Sequence, residues 1–133
     1  MAGTGYQDEI RKLLNEMIEA QNSGDAPRLR TMLSERPDVV HIGTDAAEWW
    51  TSGQVVGAVA AVGSGDDIRA VADDIDVHVQ GDIAWVEGRG RFTRADGAER
   101  PVRMTGVLVR EDGRWKVVQS HASIGVPNED IFS

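Results

Sequence analysis

The side chains best suited to chemistry in this sequence are a histidine near its end and two carboxylates near its middle. Histidine is a common general acid or base in proteins, so His121 could act as either. Asp45 and Glu48 follow a short predicted strand, and a carboxylate there could orient His121 or accept a proton itself. We therefore predict His121 and Asp45 as the catalytic candidates. The competing interpretation is structural: His121 is bonded to backbone and Asp45 caps its loop.

The turn signals predict which side chains face the same way as His121. Hairpin turns are indicated at Gly81-Asp82, Asp96-Gly97 and Asp112-Gly113. Partners across a hairpin share one face of the sheet. With the last two turns centred on those dipeptides, the predicted partners are Met104 with His121, Gly106 with Gln119, and Arg91 with Val102.

The face defined in this way has the composition of a small-molecule pocket. It carries Arg91, Gln119 and His121 around an apolar floor to which Met104 contributes, and convergent polar groups over an apolar floor are typical of ligand sites. Arg91 could supply positive charge to a carboxylate, a phenolate or a developing enolate. We therefore predict Arg91, Gln119 and Met104 as ligand-binding residues.

Trp50 and His41 are two further ligand-binding candidates. Trp50 could form a wall for a flat ligand, although an aromatic side chain packs into a core more often. His41, in the short strand predicted over 39–43, could line the same cavity or be hydrogen-bonded across the sheet.

The hairpin around Gly81-Asp82 conflicts with this assignment of faces. Simple alternation places Trp85 on the pocket face, whereas a bulge near Gly88 or Gly90 would turn it to the convex face. We predict the bulge, because it brings the aliphatic side of this hairpin into the core. A large aromatic residue on a convex sheet could anchor a partner copy, so we also predict a homodimer with Trp85 near the centre of its interface.

No metal ion or cofactor is expected. Asp74, Asp76 and His78 alternate on one strand face, but a cation there would lack a further ligand from elsewhere. The sequence contains no cysteine, and it contains no phosphate-binding glycine loop and no HExxH motif.

Three helices and a set of long strands must position these residues. Thr4 with Gln7, and Thr51 with Gln54, have capping-box spacing, and Asp25 can cap a short helix between them. Beyond Ile68 the hydrophobic period changes to two, and the turn spacing leaves strands of roughly twelve residues. The sequence therefore predicts an α+β fold with three N-terminal helices packed on a strongly curved, mainly antiparallel sheet.

Length and composition limit the possible classes of protein. The 133 residues suffice for one domain, over 1–133, with a core of its own. The net charge of −8 disfavours binding to nucleic acid, and no apolar stretch is long enough for a membrane span. The N-terminal residues are polar and acidic where a signal peptide would be basic and then apolar, which favours a cytoplasmic location.

Three stretches of this chain resemble the SnoaL-like branch of the nuclear transport factor 2-like superfamily. They are His41–Asp45 followed by Glu48–Thr51, then Gly81–Val86, and finally Asp112–Ser123. The resemblance extends from about Tyr6 to Pro127 and implies a cone-shaped pocket and a homodimer. It does not imply one activity, because this superfamily contains isomerases, dehydratases, cyclases and non-catalytic kinase hub domains.

Two functions follow as expectations. The first is binding of an apolar or mildly anionic organic molecule, with cofactor-free isomerisation, dehydration or cyclisation if the protein is an enzyme. The second is a non-catalytic ligand-binding or assembly domain similar to the kinase hubs. A second titratable group opposite His121 would favour the enzyme.

Overall fold

Three helices and six strands make up the structure, a computed structural model that describes residues 2–63 and 67–133. In chain order the helices and strands are α1 (Ala2–Ser23), α2 (Ala26–Arg30), β1 (Val40–Ile42), β2 (Trp49–Trp50), α3 (Ser52–Val62), β3 (Ile68–Gln80), β4 (Ile83–Arg94), β5 (Glu99–Glu111) and β6 (Arg114–Ser123). A 3₁₀ turn at Asn128–Asp130 follows β6. The predicted α+β class is confirmed.

The helix ends follow from local capping chemistry. Asp25 accepts a hydrogen bond from Arg28 N–H at the start of α2, and Thr51 and Gln54 form a complete capping box at the start of α3. The capping box predicted at Thr4 is wrong, because α1 already begins at Ala2. Gln7 instead donates to the carbonyl of Val77 on the sheet (3.2 Å).

The six strands form one curved sheet in the order β2-β1-β6-β5-β4-β3. The long strands β3 to β6 are an antiparallel meander, and the short β1 pairs in parallel with β6. The helices cover the concave face, and the core lies between them. Its buried residues include Ile10, Leu14, Leu29, Leu33, Val77, Ala84, Leu108, Trp115 and Val117.

The register between β4 and β5 differs by one residue from the prediction. Arg94 N–H donates to Ala98 O and Gly97 N–H to Arg94 O, both at 2.9 Å, so the turn contains three residues rather than two. Arg91 therefore pairs with Pro101 instead of Val102. Because side chains alternate along a strand, this shift of one residue turns Arg91 to the opposite face.

A bulge in β6 causes a second difference. Val117 pairs with Leu108, but the next paired residue is Gln119, opposite Val107, so Val118 has no partner on β5. The bulge lies where β6 changes neighbours on its other edge, since Val117 bonds to Met32 and Ser34 whereas Gln119 is paired with β1. One extra residue inverts the faces beyond it. Gln119 and His121 consequently lie on the convex face, while Ser120 lies on the concave face.

The predicted outcome for the β3–β4 hairpin is observed, but the predicted cause is wrong. Val77, Ala84 and Val86 are buried in the core, and Trp85 is on the convex face with 44% of its surface exposed. No bulge occurs in β4 near Gly88 or Gly90; the irregularity is in β3, between Ala72 and Asp74. The β3–β4 hairpin conflicts with the other strands in the prediction because the predicted turn after β4 contains two residues, whereas the actual turn contains three.

Candidate functional site

The concave face of the sheet and the helices enclose a cavity of about 450 Å³. Most of its walls are aliphatic or aromatic, which suits a small organic ligand. Helices α1 and α3 supply one side, and β3 to β6 supply the floor. The apolar lining includes Leu14, Met17, Ile18, Val55, Ala58, Val59, Val62, Ile75, Val86, Phe92, Met104, Leu108 and Ala122.

His41 and Ser120 form the polar end of this cavity. They are register partners on the parallel strands β1 and β6, and His41 Nδ1 lies 2.8 Å from Ser120 Oγ. On its other side, His41 Nε2 lies 3.0 Å from Ser52 Oγ at the start of α3. Both His41 and Ser120 contribute to the cavity lining. The parallel pairing of β1 with β6 therefore assembles a serine–histidine–serine chain from three separate parts of the sequence.

The hydrogen-bond partners assign the protons along this chain. Ser52 Oγ donates its single proton to the carbonyl oxygen of Ser34, 2.6 Å away, so it must accept from His41 Nε2–H. Burial lowers the pKa of His41 below its ordinary value of 6.5, because an uncompensated charge is costly away from water. A neutral His41 protonated at Nε2 has a free lone pair at Nδ1. Ser120 O–H therefore donates to it.

Glu48 is on the same hairpin as His41, where Gly43 N–H donates to its carbonyl oxygen (3.0 Å). Its Oε1 accepts the backbone N–H of Asp45 (2.8 Å), and its Oε2 would lie 2.7 Å from a side-chain carbon at Gly43. A side chain at position 43 would displace the Glu48 carboxylate from this position. Glu48 is half-buried and lines the cavity. Its own loop therefore holds it facing the ligand space.

Asp45 is not part of the cavity lining. Its Oδ1 accepts the backbone N–H of Ala47 at 2.8 Å, which is the loop-capping role that competed with a catalytic one. Asp45 is exposed. The carboxylate that this loop presents to the cavity belongs to Glu48, three residues later.

The other predicted residues are divided between the two faces. Trp50 pairs with His41 and lines the cavity, whereas Trp49 is 70% exposed. Met104 also lines the cavity. Arg91 does not, because its guanidinium binds Asp73 and Glu99 at 3.2 Å. The predicted cluster of Arg91, Gln119 and His121 is therefore wrong as an assembly on the concave face.

Gln119 and His121 border a different cavity. It lies on the convex face, has a volume of about 310 Å³, and is also lined by Trp85, Val107 and Thr105. His121 is exposed and pairs with Thr105 and Ile42. Atoms of His121 also border the concave cavity, but its strand position directs the side chain away from Ser120.

The convex face carries an apolar stripe, which we call the convex patch: Ile83, Trp85, Val107 and Val109. Ile83 and Trp85 are exposed, and Trp85 stacks on His78 with ring centroids 5.6 Å apart. His78 Nε2 is 2.8 Å from a carboxylate oxygen of Glu87.

Ser120 and Ser52 are the site residues that sequence reasoning missed. Ser120 lies between Gln119 and His121, and only the bulge at Val118 makes it the inward residue of the three. Ser52 had a usable signal, since it directly follows the predicted cap Thr51. Contact of Ser52 with His41 depends on the docking of α3 against β1, which no local pattern specifies.

Cations are absent from the concave cavity as far as the structure describes it. No lysine or arginine is among its lining residues, whereas Glu48 and Glu87 both are. Within residues 2–63 and 67–133, no cluster of three or more histidine, aspartate or glutamate side chains could hold a metal ion. Likewise, no helix in that part of the chain is long and apolar enough to cross a membrane.

Comparison with known proteins places this geometry in a family. The SnoaL-like domain family matches residues 10–127, which is most of the chain. The protein belongs to the SnoaL-like domain family. None of the curated proteins matches the sequence.

Solved structures agree on the fold. A nuclear transport factor 2-like protein of unknown function from Pseudomonas putida KT2440 superposes with a TM-score of 0.81 at 21% identity, covering 95% of this chain and 91% of that one. A candidate dehydratase from Streptomyces avermitilis gives 0.79 at 20% identity, covering 93% and 99%. The association domain of C. elegans CaMKII gives 0.76 at 16% identity, covering 92% and 98%. At these identities the similarity shows the cone fold alone.

Proposed function

We propose that this SnoaL-like protein binds a small, largely apolar organic molecule in its concave cavity and carries out cofactor-free proton transfer on it. The observation that carries this proposal is the combination of an apolar cavity of about 450 Å³ with a buried, neutral His41 at its polar end. A largely apolar site with one positioned base is suited to proton transfer, because apolar walls reduce the competition of water for the base.

The proton moves along the hydrogen bonds already present. A ligand proton passes to Ser120 Oγ while the Ser120 proton passes to His41 Nδ1, 2.8 Å away. His41 is then an imidazolium whose Nε2–H remains bonded to Ser52, and the electron pair left on the ligand can move a double bond or expel a leaving group. Ser52 and the Ser34 carbonyl fix the imidazole orientation, in the way a second partner orients a catalytic histidine.

Ligand binding is tested with a probe that requires no knowledge of the natural ligand. Prodan, a neutral naphthalene dye, should show saturable, blue-shifted fluorescence with the wild-type protein. Ala58→Phe fills the cavity from α3 and should weaken binding at least about tenfold. Ala60→Phe is the matched control, since Ala60 is exposed on the same helix and outside the lining. If both variants bound prodan equally well, the dye would not bind in the concave cavity, and the proposed binding site would be wrong.

Proton transfer is tested with 5-nitrobenzisoxazole, which reports on any base in an apolar site. Loss of its ring C–H proton breaks the N–O bond and releases a coloured cyanophenolate. His41→Gln should reduce the rate at least about tenfold, whereas His78→Gln, on the convex face, should leave it unchanged. A rate no greater than that of buffer, or a loss confined to His121→Gln, would contradict the role of His41.

We further propose that the protein is a homodimer formed through the convex patch. Ile83 and Trp85 are exposed apolar side chains on adjacent positions of one sheet face, and such a stripe is typical of a protein interface. An assembly role of this kind is also the alternative function. Sedimentation velocity at micromolar concentration should show a dimer that Trp85→Ser shifts toward monomer; a monomeric wild-type protein would exclude it.

A further inference from the structure

The polar end of the concave cavity presents hydrogen-bond acceptors and negative charge. Ser120 Oγ donates its only proton to His41 Nδ1, so its remaining lone pairs can only accept. No other side-chain hydrogen bond to Ser120 occurs in the described part of the chain. A ligand that meets Ser120 must therefore bring a proton of its own.

Glu48 gives the same end a negative charge. Glu48 is half-buried, lines the cavity and forms no ion pair with any residue in the ranges 2–63 and 67–133. The second carboxylate of the lining, Glu87, is instead bonded to His78 on the convex face. Among the described residues, Glu48 is thus a carboxylate of the lining that no cation neutralises.

Two arginines of the sheet contact other residues instead of lining the cavity. Arg91 binds Asp73 and Glu99, and Arg110 stacks on the ring of Tyr6 at 4.6 Å from its centroid. Without a lysine or arginine in the lining, a buried carboxylate on the ligand would have no ion-pair partner among the described residues and would be repelled by Glu48. Burying an unpaired charge is costly.

We propose that the cavity selects neutral or cationic organic molecules bearing an O–H or N–H donor, such as an alcohol, a phenol or an amine, and rejects carboxylates. Ser120 accepts the donor, and Glu48 adds an attraction for an ammonium group. This inference rests on the proposed ligand-binding function and replaces the mildly anionic ligand that the sequence suggested. An anionic ligand was expected because Arg91 was predicted to line the cavity. The three-residue turn between β4 and β5 places Arg91 on the opposite face.

Four naphthalene derivatives test this preference at pH 7 by displacement of prodan. They carry a hydroxymethyl, an aminomethyl, a carboxylate or a methyl group at the same ring position. We expect the hydroxymethyl and aminomethyl compounds to bind roughly threefold to tenfold more tightly than the methyl compound, as one added hydrogen bond implies. The carboxylate should bind most weakly.

Two variants assign the preference to residues. Ser120→Ala should abolish the advantage of hydroxymethyl over methyl and leave binding of the methyl compound unchanged; Gln119→Ala, its neighbour on the opposite face, should change neither. Glu48→Gln should weaken binding of the amine and improve that of the carboxylate, and Glu9→Gln on the exposed side of α1 controls for net charge.

The outcomes separate this inference from the proposed function. Equal affinity for all four compounds, or tightest binding of the carboxylate, would overturn donor selection while leaving ligand binding intact. Failure of all four to displace prodan, together with a prodan signal that Ala58→Phe does not change, would overturn both. A donor preference that persists in Ser120→Ala would overturn the assignment to Ser120.

Discussion

The two faces of one sheet use similar residues for different purposes. On the concave face, a tryptophan (Trp115) is 2% exposed and a histidine (His41) is 6% exposed. On the convex face, Trp85 is 44% exposed and His121 is also open to solvent. Residue type alone therefore does not distinguish a site from a surface in this protein. The register of each strand does, because it decides which residues the helices cover.

The largest difference between the faces is expected for the two tryptophans. Trp115→Ala should lower the free energy of unfolding by about 3–5 kcal/mol, because it leaves a large cavity beneath Tyr6. Trp85→Ala should cost less than about 1 kcal/mol in the isolated monomer. Urea unfolding at two protein concentrations separates any contribution from the dimer. Similar losses at both positions at low concentration would contradict the division into a core face and a surface face.

The two histidines provide the next comparison. His41→Ala leaves the half-buried hydroxyl of Ser120 without its acceptor and leaves Ser52 with only its bond to the Ser34 carbonyl. An unpaired buried polar group costs about 1–3 kcal/mol. His121→Ala removes an exposed side chain and should change stability by less than about 0.5 kcal/mol. Denaturant melts of both variants at pH 7 check this. A larger loss for His121→Ala would restore the site predicted from sequence.

The pH dependence of stability should reveal the same burial. Because the pKa of His41 is lowered in the folded state, the unfolded chain binds the proton more readily. The contribution of neutral His41 is therefore fully present above pH 6.5 and decreases as the pH falls below that value, by at most about 1.4 kcal/mol per pH unit. His41→Gln should lose less stability than wild type between pH 7 and pH 5. Parallel curves for the two proteins would show that His41 does not titrate differently on folding.

The smallest effect is expected at Arg91. Its ion pairs with Asp73 and Glu99 are partly exposed, and such pairs contribute little to stability, so Arg91→Met should leave the urea midpoint of unfolding nearly unchanged. Prodan binding should be unchanged, because the side chain lies outside the cavity. Loss of ligand affinity in this variant, measured by fluorescence titration, would place Arg91 in the site after all.

Local rules predicted most of the fold. The caps at Asp25 and Thr51, and the two-residue turns at Gly81-Asp82 and Asp112-Gly113, depend on neighbouring residues that the sequence displays. Burial of the aliphatic side of the β3–β4 hairpin followed from alternation and the need for a core. These features required no knowledge of distant contacts.

The site itself depends on features that are not local. A three-residue turn at Asp96-Gly97 and an extra residue at Val118 each invert a face, and both are compatible with the same sequence pattern. The bond from His41 to Ser120 also requires parallel pairing of strands 79 residues apart. His41, Trp50 and Met104 line the cavity. Arg91 and Gln119 do not, because the three-residue turn and the bulge place them on the other face. Asp45 does not, because it caps its own loop.

The extra residue at Val118 also affects how relatives can be compared. Consider a relative whose β6 lacks the bulge, aligned with this chain without a gap. Up to Val117 the aligned residues lie on the same face of the sheet, but beyond it each aligned pair consists of one residue on the concave face and one on the convex face. If a functional residue of that relative were assigned to this chain by such an alignment, it would be assigned to Gln119 or His121 instead of Ser120. At 16–21% identity, superposition of the strands is therefore the safer basis for assigning equivalent residues across this family.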